Sequence, residues 1–418
     1  MKTTWKEFEK AKSYPPLRQN EQADVVVIGG GLSGIMSAYL LSQNGKKIIV
    51  LEQKSIGSGA TEYTTAMITQ VLDTDLPELV KMFGKELAKL AWEAGGKGID
   101  LIEKIVETEK IDCEFMRCPA YIYASDENQI LGLEEEHATA KKLGFTTKLK
   151  NDDTVNLRNF EYLELPNQAK FHPLKFLYAL AGIAEKKGVK IFEQTEATEI
   201  SSKDGITVST KDAQIKTSDV IVATYKPFNK PHEVFAKKGM YKSYMLELEL
   251  PKNLLAEALY WDKSNPYYYF RVDKGHAFDR MLFGGADHRE ELPISSAKSY
   301  AALEEHLHNI LGSTEYRIIK KWTGLILEPS DGLALIGEYQ PHQFLATGFS
   351  GNGMTYSAVS AMMFKDYVLG KKNVWSELFD PKRPLKASRL LLKGKDYIEE
   401  FLGGAVRNTF KFGEEAEN

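Results

Sequence analysis

The chain has 418 residues, 43% hydrophobic and 27% charged, with a formal net charge of −4. That length allows a large core, most simply split into two lobes, and the acidic balance argues against nucleic acid as the main partner. Every apolar run is too short to span a membrane, and the N-terminus carries charges but no apolar signal core, so a cytoplasmic protein is expected.

Residues 1–22 read as an arm leading into a first strand, Asp24 to Ile28. Gly29, Gly31 and Gly34 follow in G-x-G-x-x-G spacing, then an amphipathic helix, then the strand Ile48–Leu51 ending at Glu52, 18 residues past Gly34. Strand, glycine turn, helix, strand and acid together are the signature of an adenine-dinucleotide site. Gly31 has no Cβ to keep the pyrophosphate from the backbone. The helix N-terminus offers free N–H groups to it. Glu52 suits the ribose hydroxyls and would repel a 2′-phosphate, which disfavours NADP.

Further along, 77–110 reads as two helices, 120–125 as a strand and 127–143 as a helix. Cys113 and Cys118 lack zinc-ligand spacing, so two ordinary thiols and no metal site are expected. His172-Pro173 opens a helix over 174–187; a strand at 189–192, a hairpin from Ile206 and a buried strand from Asp219 to Thr224 follow. Residues 241–288 alternate and are rich in aromatics, as in an antiparallel sheet. Residues 298–311 read as a charged helix, and Phe344 to Gly370 as strand, glycine loop and helix.

The nucleotide lobe is therefore discontinuous: 1–76, 150–235 and 321–418 are assigned to it, and 77–149 with 236–320 to a second lobe. The expected fold class is α/β, more fully an α+β two-lobe chain: a Rossmann-like lobe with an inserted, largely antiparallel sheet. Two more segments favour FAD over NAD. One is the small, hydroxylated stretch from Gly57 to Met67. The other is the loop Gly348-Phe-Ser-Gly351-Asn-Gly353-Met-Thr355 opening a helix, whose positive end favours the reduced flavin.

In the order of these motifs the chain resembles the FAD-dependent D-amino-acid oxidase and sarcosine oxidase superfamily, over residues 22–372. The segments Ala60–Ala66, His172–Lys175, Gly284–His288 and Gly351–Thr355 are similar to a bacterial subgroup whose members often carry a C-terminal Rieske domain; with no cysteine after Cys118, that domain is expected to be absent here. The resemblance implies hydride transfer from a carbon bonded to nitrogen onto flavin N5, hydrolysis of the imine, and reoxidation by oxygen or an electron-acceptor partner. It places at the cofactor Gly29, Gly31, Leu32, Ser33 and Gly34; Glu52 and Gln53; Gly59, Ala60, Thr61, Thr64, Thr65 and Met67; and Ala197 and Thr224. Gly348, Phe349, Gly351, Asn352, Gly353, Met354 and Thr355 fall at its pyrimidine end.

Three positions depart from the family pattern. Thr355 stands where sarcosine oxidases place a substrate-binding lysine. Met67 stands where the nearer subgroup usually has a basic residue. Sarcosine oxidases bind flavin covalently through a cysteine just before the last glycine loop; here residues 328–337 have none, so FAD is expected to be non-covalent. The first two departures disfavour a small α-amino acid, and the expected reaction is oxidation of a C–N bond of a small-molecule amine or amino-acid derivative. Alternation puts Tyr267, Tyr269 and Arg271 on one strand face and Tyr268 and Phe270 on the other. Tyr269, Arg271 and His288 are the candidates for substrate contact, with Arg280 and Arg289 as further cations. Two alternatives stay open: a dehydrogenase feeding a separate partner, and a flavin-binding subunit with decayed catalysis.

Overall fold

The computed structural model describes residues 3–7, 12–124, 126–151, 161–203, 205–226, 228, 238–264 and 266–384. Four apolar segments with no polar face, Val25–Ile28, Ile48–Leu51, Asp219–Val222 and Gln343–Thr347, are buried throughout. Such runs suit a sheet covered on both faces. They pair in parallel, Lys190–Phe192 joins beyond Ile48–Leu51, and Leu335–Gln340 closes the other edge antiparallel, giving six strands.

Alternation splits this sheet cleanly. Val25, Val27, Ile48, Val50 and Ile221 face one core, with the helices Leu32–Ser42, Pro173–Lys186 and Gly353–Val368 packed over it. Val26, Ile28, Ile49, Leu51, Val220 and Val222 face another, covered by a four-stranded sheet that includes Ala197–Ser201, Ile206–Thr210 and Gln214–Thr217.

The second sheet has nine strands and is antiparallel except where Leu259–Asp262 runs parallel to Met116–Ala124. A long ribbon, Lys238–Leu250, pairs with Asp279–Arg289 on one side and with the edge strand Arg317–Pro329 on the other. Met245, Leu282 and Trp322 point into the same core as the nucleotide helices. Leu246, Phe270 and Phe283 point the other way, beneath the helix Ser296–Leu311. The two lobes thus share one continuous core, and one face of the large sheet is one of its walls.

Two parts of the expected lobe division are corrected. Glu161–Lys170 pairs with Met116–Ala124, and Arg317–Pro329 with Lys238–Leu250, so both strands belong to the large sheet and not to the nucleotide lobe. The helix Lys85–Glu109, expected in the second lobe, packs on Gly353–Val368; a Cβ at Gly98 would lie 3.0 Å from the Thr355 carbonyl oxygen. The parts of the expected nucleotide lobe at 152–160, 229–235 and 385–418 lie outside the described residues.

Candidate functional site

The glycine turn after Val25–Ile28 is shaped by contact. A Cβ at Gly34 would sit 2.0 Å from the Gly29 carbonyl oxygen, and one at Gly29 2.5 Å from that of Ala223, next to Thr224. At Gly31, by contrast, the nearest atom is Thr61 Oγ1 at 3.5 Å, so the space above its backbone is open. Gly31 caps the helix Leu32–Ser42 without a side-chain hydrogen bond, and the first turn holds no acidic residue. The positive end of the helix therefore faces that space without internal compensation. Thr61 Oγ1 accepts the Leu32 amide at 3.2 Å, which leaves its own proton to offer.

Glu52 is fixed by two amides. One carboxylate oxygen accepts Gly30 N and the other Lys54 N, each at 2.8 Å. Each oxygen keeps further acceptor capacity for a diol. The Glu52 carbonyl accepts the Thr195 amide at 2.9 Å, which brings the buried Ala197 close by. Gln53 is exposed beside it. This cradle fits the adenosine diphosphate half of a dinucleotide.

The chain then crosses toward the large sheet. Gly59 precedes the short helix Ala60–Tyr63, and Thr64 and Thr65 lead into a bend at Ala66, whose φ of 56° is left-handed. Arg271 holds that bend: its Nη1 donates to the carbonyls of Thr65 (3.0 Å), Ala66 (3.1 Å) and Phe171 (3.0 Å). Its other nitrogens bind Asp273, which also takes Arg280 and Lys170. Burial would raise the Asp273 carboxyl, but those three cations hold it well below the ordinary carboxylate range. Arg271 is 1% exposed. It is a structural clamp, and its expected role as a substrate cation is corrected. Arg280 is likewise committed to Asp273.

The second glycine loop closes the other end. Ser33 Oγ and Ser357 Oγ, 2.9 Å apart, join the two nucleotide-facing helices. Gly348 is left-handed, Phe349 packs against Tyr356, and Met354 is buried. Asn352, just before Gly353, donates to Thr69 Oγ1 and the Val71 carbonyl and accepts the Asp73 amide. Thr355 is 1% exposed and spends its hydroxyl on Thr69, accepting from N (3.1 Å) and donating to O (2.9 Å). It joins the loop to the segment after Met67–Ile68, and Gly98 leaves it little room for a larger side chain.

Where this loop meets the large sheet, a Cβ on Gly351 would lie 2.9 Å from Tyr267 Oη and 3.0 Å from either Asp73 oxygen. Asp73 accepts the Gly351 amide at 2.5 Å. Tyr267 and Tyr269, with ring centroids 5.5 Å apart, stand on the face expected of them. Tyr269 Oη lies 3.0 Å from Ser243 Oγ, and the Ser243 hydroxyl favours the ionised form of Asp287. Burial first, then the carboxylates of Asp73 and Glu328, push the Asp287 carboxyl up to about 7.

Asp287 faces this site because of a β-bulge. Tyr244 pairs with Gly285 and Lys242 with His288, so two residues, Ala286 and Asp287, oppose Ser243 alone. Ala286 is left-handed at φ 53°. One extra residue inverts the alternation beyond it. His288 therefore points to the far core, with Nε2 3.0 Å from Tyr244 Oη and Nδ1 2.9 Å from the Arg289 carbonyl oxygen. Its expected place at the substrate is corrected. Asp73, Ser243 and Asp287 were not among the expected site residues.

A family model described as FAD dependent oxidoreductase, DAO, matches residues 24–367. The chain belongs to this family. Its cofactor is FAD, held non-covalently: the stretch 328–337 just before the second glycine loop has no cysteine. A Bacillus subtilis (strain 168) protein named as a putative Rieske 2Fe-2S iron-sulfur protein, YhfW, is 32% identical over 91% of this chain and 75% of its own length. Gamma-glutamylputrescine oxidoreductase of Escherichia coli (strain K12) is 23% identical over 91% of this chain and 92% of its own. The glycine oxidase structure from Geobacillus kaustophilus superposes with a TM-score of 0.73 at 19% identity, covering 88% of this chain and 100% of that one. That likeness carries the fold. Among the described residues no helix is long and apolar enough to cross a membrane.

Proposed function

We propose that this DAO-family oxidoreductase oxidises a C–N bond of a small amine. The carbon loses a hydride and the nitrogen a proton, giving an imine that water hydrolyses to a carbonyl compound and the shortened amine. When bound, FAD supplies the two-electron acceptor, and oxygen or a protein partner then takes the electrons.

The observation that carries this reading is the pairing of the open Gly31 cradle with the Tyr267–Tyr269–Asp287 wall at the far end of the same strip. The Gly31 backbone and the helix N-terminus would hold the pyrophosphate, and Glu52 the ribose. Asn352 and Thr355 fix the second glycine loop against Thr69 and Asp73. Tyr267 and Tyr269 both have hydroxyls raised far above their ordinary value by burial and by nearby carboxylates, so they stay neutral and serve to position substrate. An amine delivered in its neutral form needs no further base for hydride loss.

The test has two parts. Purified protein should be yellow and release about one FAD per chain on denaturation, as a tight non-covalent site requires. A primary or N-methyl amine should then yield a carbonyl compound in step with acceptor reduction. A colourless protein that FAD does not reconstitute would refute the reading.

A further inference from the structure

We propose that Asp287, with Tyr267 and Tyr269, is a subsite for the ammonium group of a cationic amine, a diamine or N-alkyl diamine with no carboxylate beside the oxidised carbon. This rests on the amine-oxidation reading above and names its substrate class.

Four observations converge on this subsite. The bulge at Ala286 and Asp287 turns an acid onto the flavin-side face, where regular alternation would have placed His288. Asp287 Oδ1 is shut off from solvent with no hydrogen-bond partner among the described residues. A buried carboxylate oxygen with an unused lone pair is costly unless a donor arrives. The Ser243 hydroxyl, which favours the ionised acid, is bonded to Tyr269, so one residue serves both the acid and the ring. Tyr267 and Tyr269 add π-faces, which attract ammonium groups.

The surrounding charge selects the same ligand. The charges that act on Asp287 are the carboxylates of Asp73 and Glu328. Both also act on Tyr267, so they converge on the same side chains. Arg271, Arg280 and Lys170 are consumed by Asp273. A cation therefore relieves repulsion here, whereas a substrate carboxylate adds to it. Because Asp287 is held up to about 7 by burial, Asp73 and Glu328, cation binding strengthens as pH rises through that value. Tyr267 and Tyr269 remain neutral over this range, and Ser243 donates to the ionised form.

The test uses the FAD-loaded enzyme and tetramethylammonium, a cation it cannot oxidise, followed by calorimetry and by displacement with 1,4-diaminobutane. Binding is expected in the wild type and to tighten between about pH 6 and pH 8. Asp287→Asn is expected to weaken it at least about tenfold and to flatten the pH dependence, and Asp287→Glu to restore part of both. Tyr269→Phe, which keeps the ring and cuts the link to Ser243, is expected to weaken it less; it also serves if Asp287→Asn fails to fold. Unchanged binding in Asp287→Asn, or acetate and sarcosine binding where tetramethylammonium does not, would overturn the subsite. If amino acids reduce the flavin and Asp287→Asn has no effect, the subsite falls and amine oxidation stands. If tetramethylammonium binds through Asp287 but no amine reduces the flavin, amine oxidation falls and the subsite stands.

Discussion

Three glycines in one turn carry different burdens, and single substitutions should separate them. A Cβ at Gly31 meets nothing closer than 3.5 Å, so Gly31→Ala should keep the fold within about 1 kcal/mol yet lose most bound FAD. Gly34→Ala should instead cost about 1–3 kcal/mol or more, because its Cβ would overlap the Gly29 carbonyl. Chemical denaturation together with FAD content per chain reads both. Thr355 makes a similar point. Its hydroxyl satisfies two backbone groups of Thr69, so Thr355→Val should cost about 1–3 kcal/mol by leaving them unpaired. If Thr355→Val were neutral in denaturation, that role would be wrong. The missing lysine was legible in the sequence, but the packing of Thr355 against Gly98 was not, since it joins residues from two distant helices.

At the scale of elements, the strongest constraint on the site is a strand-to-strand clamp. Arg271, on Tyr269–Asp273, grips the left-handed bend at Ala66 and neutralises Asp273. Arg271→Met should destabilise the protein by about 3–5 kcal/mol, because it leaves buried acceptors and part of a buried charge uncompensated. The sign with pH follows. The Asp273 carboxyl lies below its unfolded value in the native state, so its contribution is present above the ordinary carboxylate range and lost as pH falls below it. Unfolding measured from neutral to acid pH should show that loss shrinking in Arg271→Met. An acid limb identical to wild type would contradict the clamp. The sequence made Arg271 a candidate because alternation put it on the right face, which it is. Alternation cannot say whether a cation is already paired. It failed outright at His288, where one bulge residue inverts the faces, and it missed Glu161–Lys170, where Pro166 and the left-handed Asn167 interrupt the pattern.

Across the whole molecule, motif order proved a better guide than lobe boundaries. The five parallel strands of the six-stranded sheet were readable, because a doubly covered parallel strand is a short unbroken apolar run; the antiparallel edge Leu335–Gln340 was not. The boundaries slipped because the large sheet draws strands from both sides of the nucleotide segments, and both lobes close on one core. On the proposed reading that seam carries the chemistry, with the dinucleotide cradle at one end and the tyrosine–carboxylate wall at the other. The central claim is that an amine held at this seam reduces the bound flavin. Anaerobic mixing of the purified yellow protein with a panel of diamines, N-methyl amines, glycine and sarcosine tests it most directly. Bleaching of the oxidised flavin band by the cationic amines, with glycine and sarcosine slow, is the expected result. A band that no amine in the panel bleaches would contradict it.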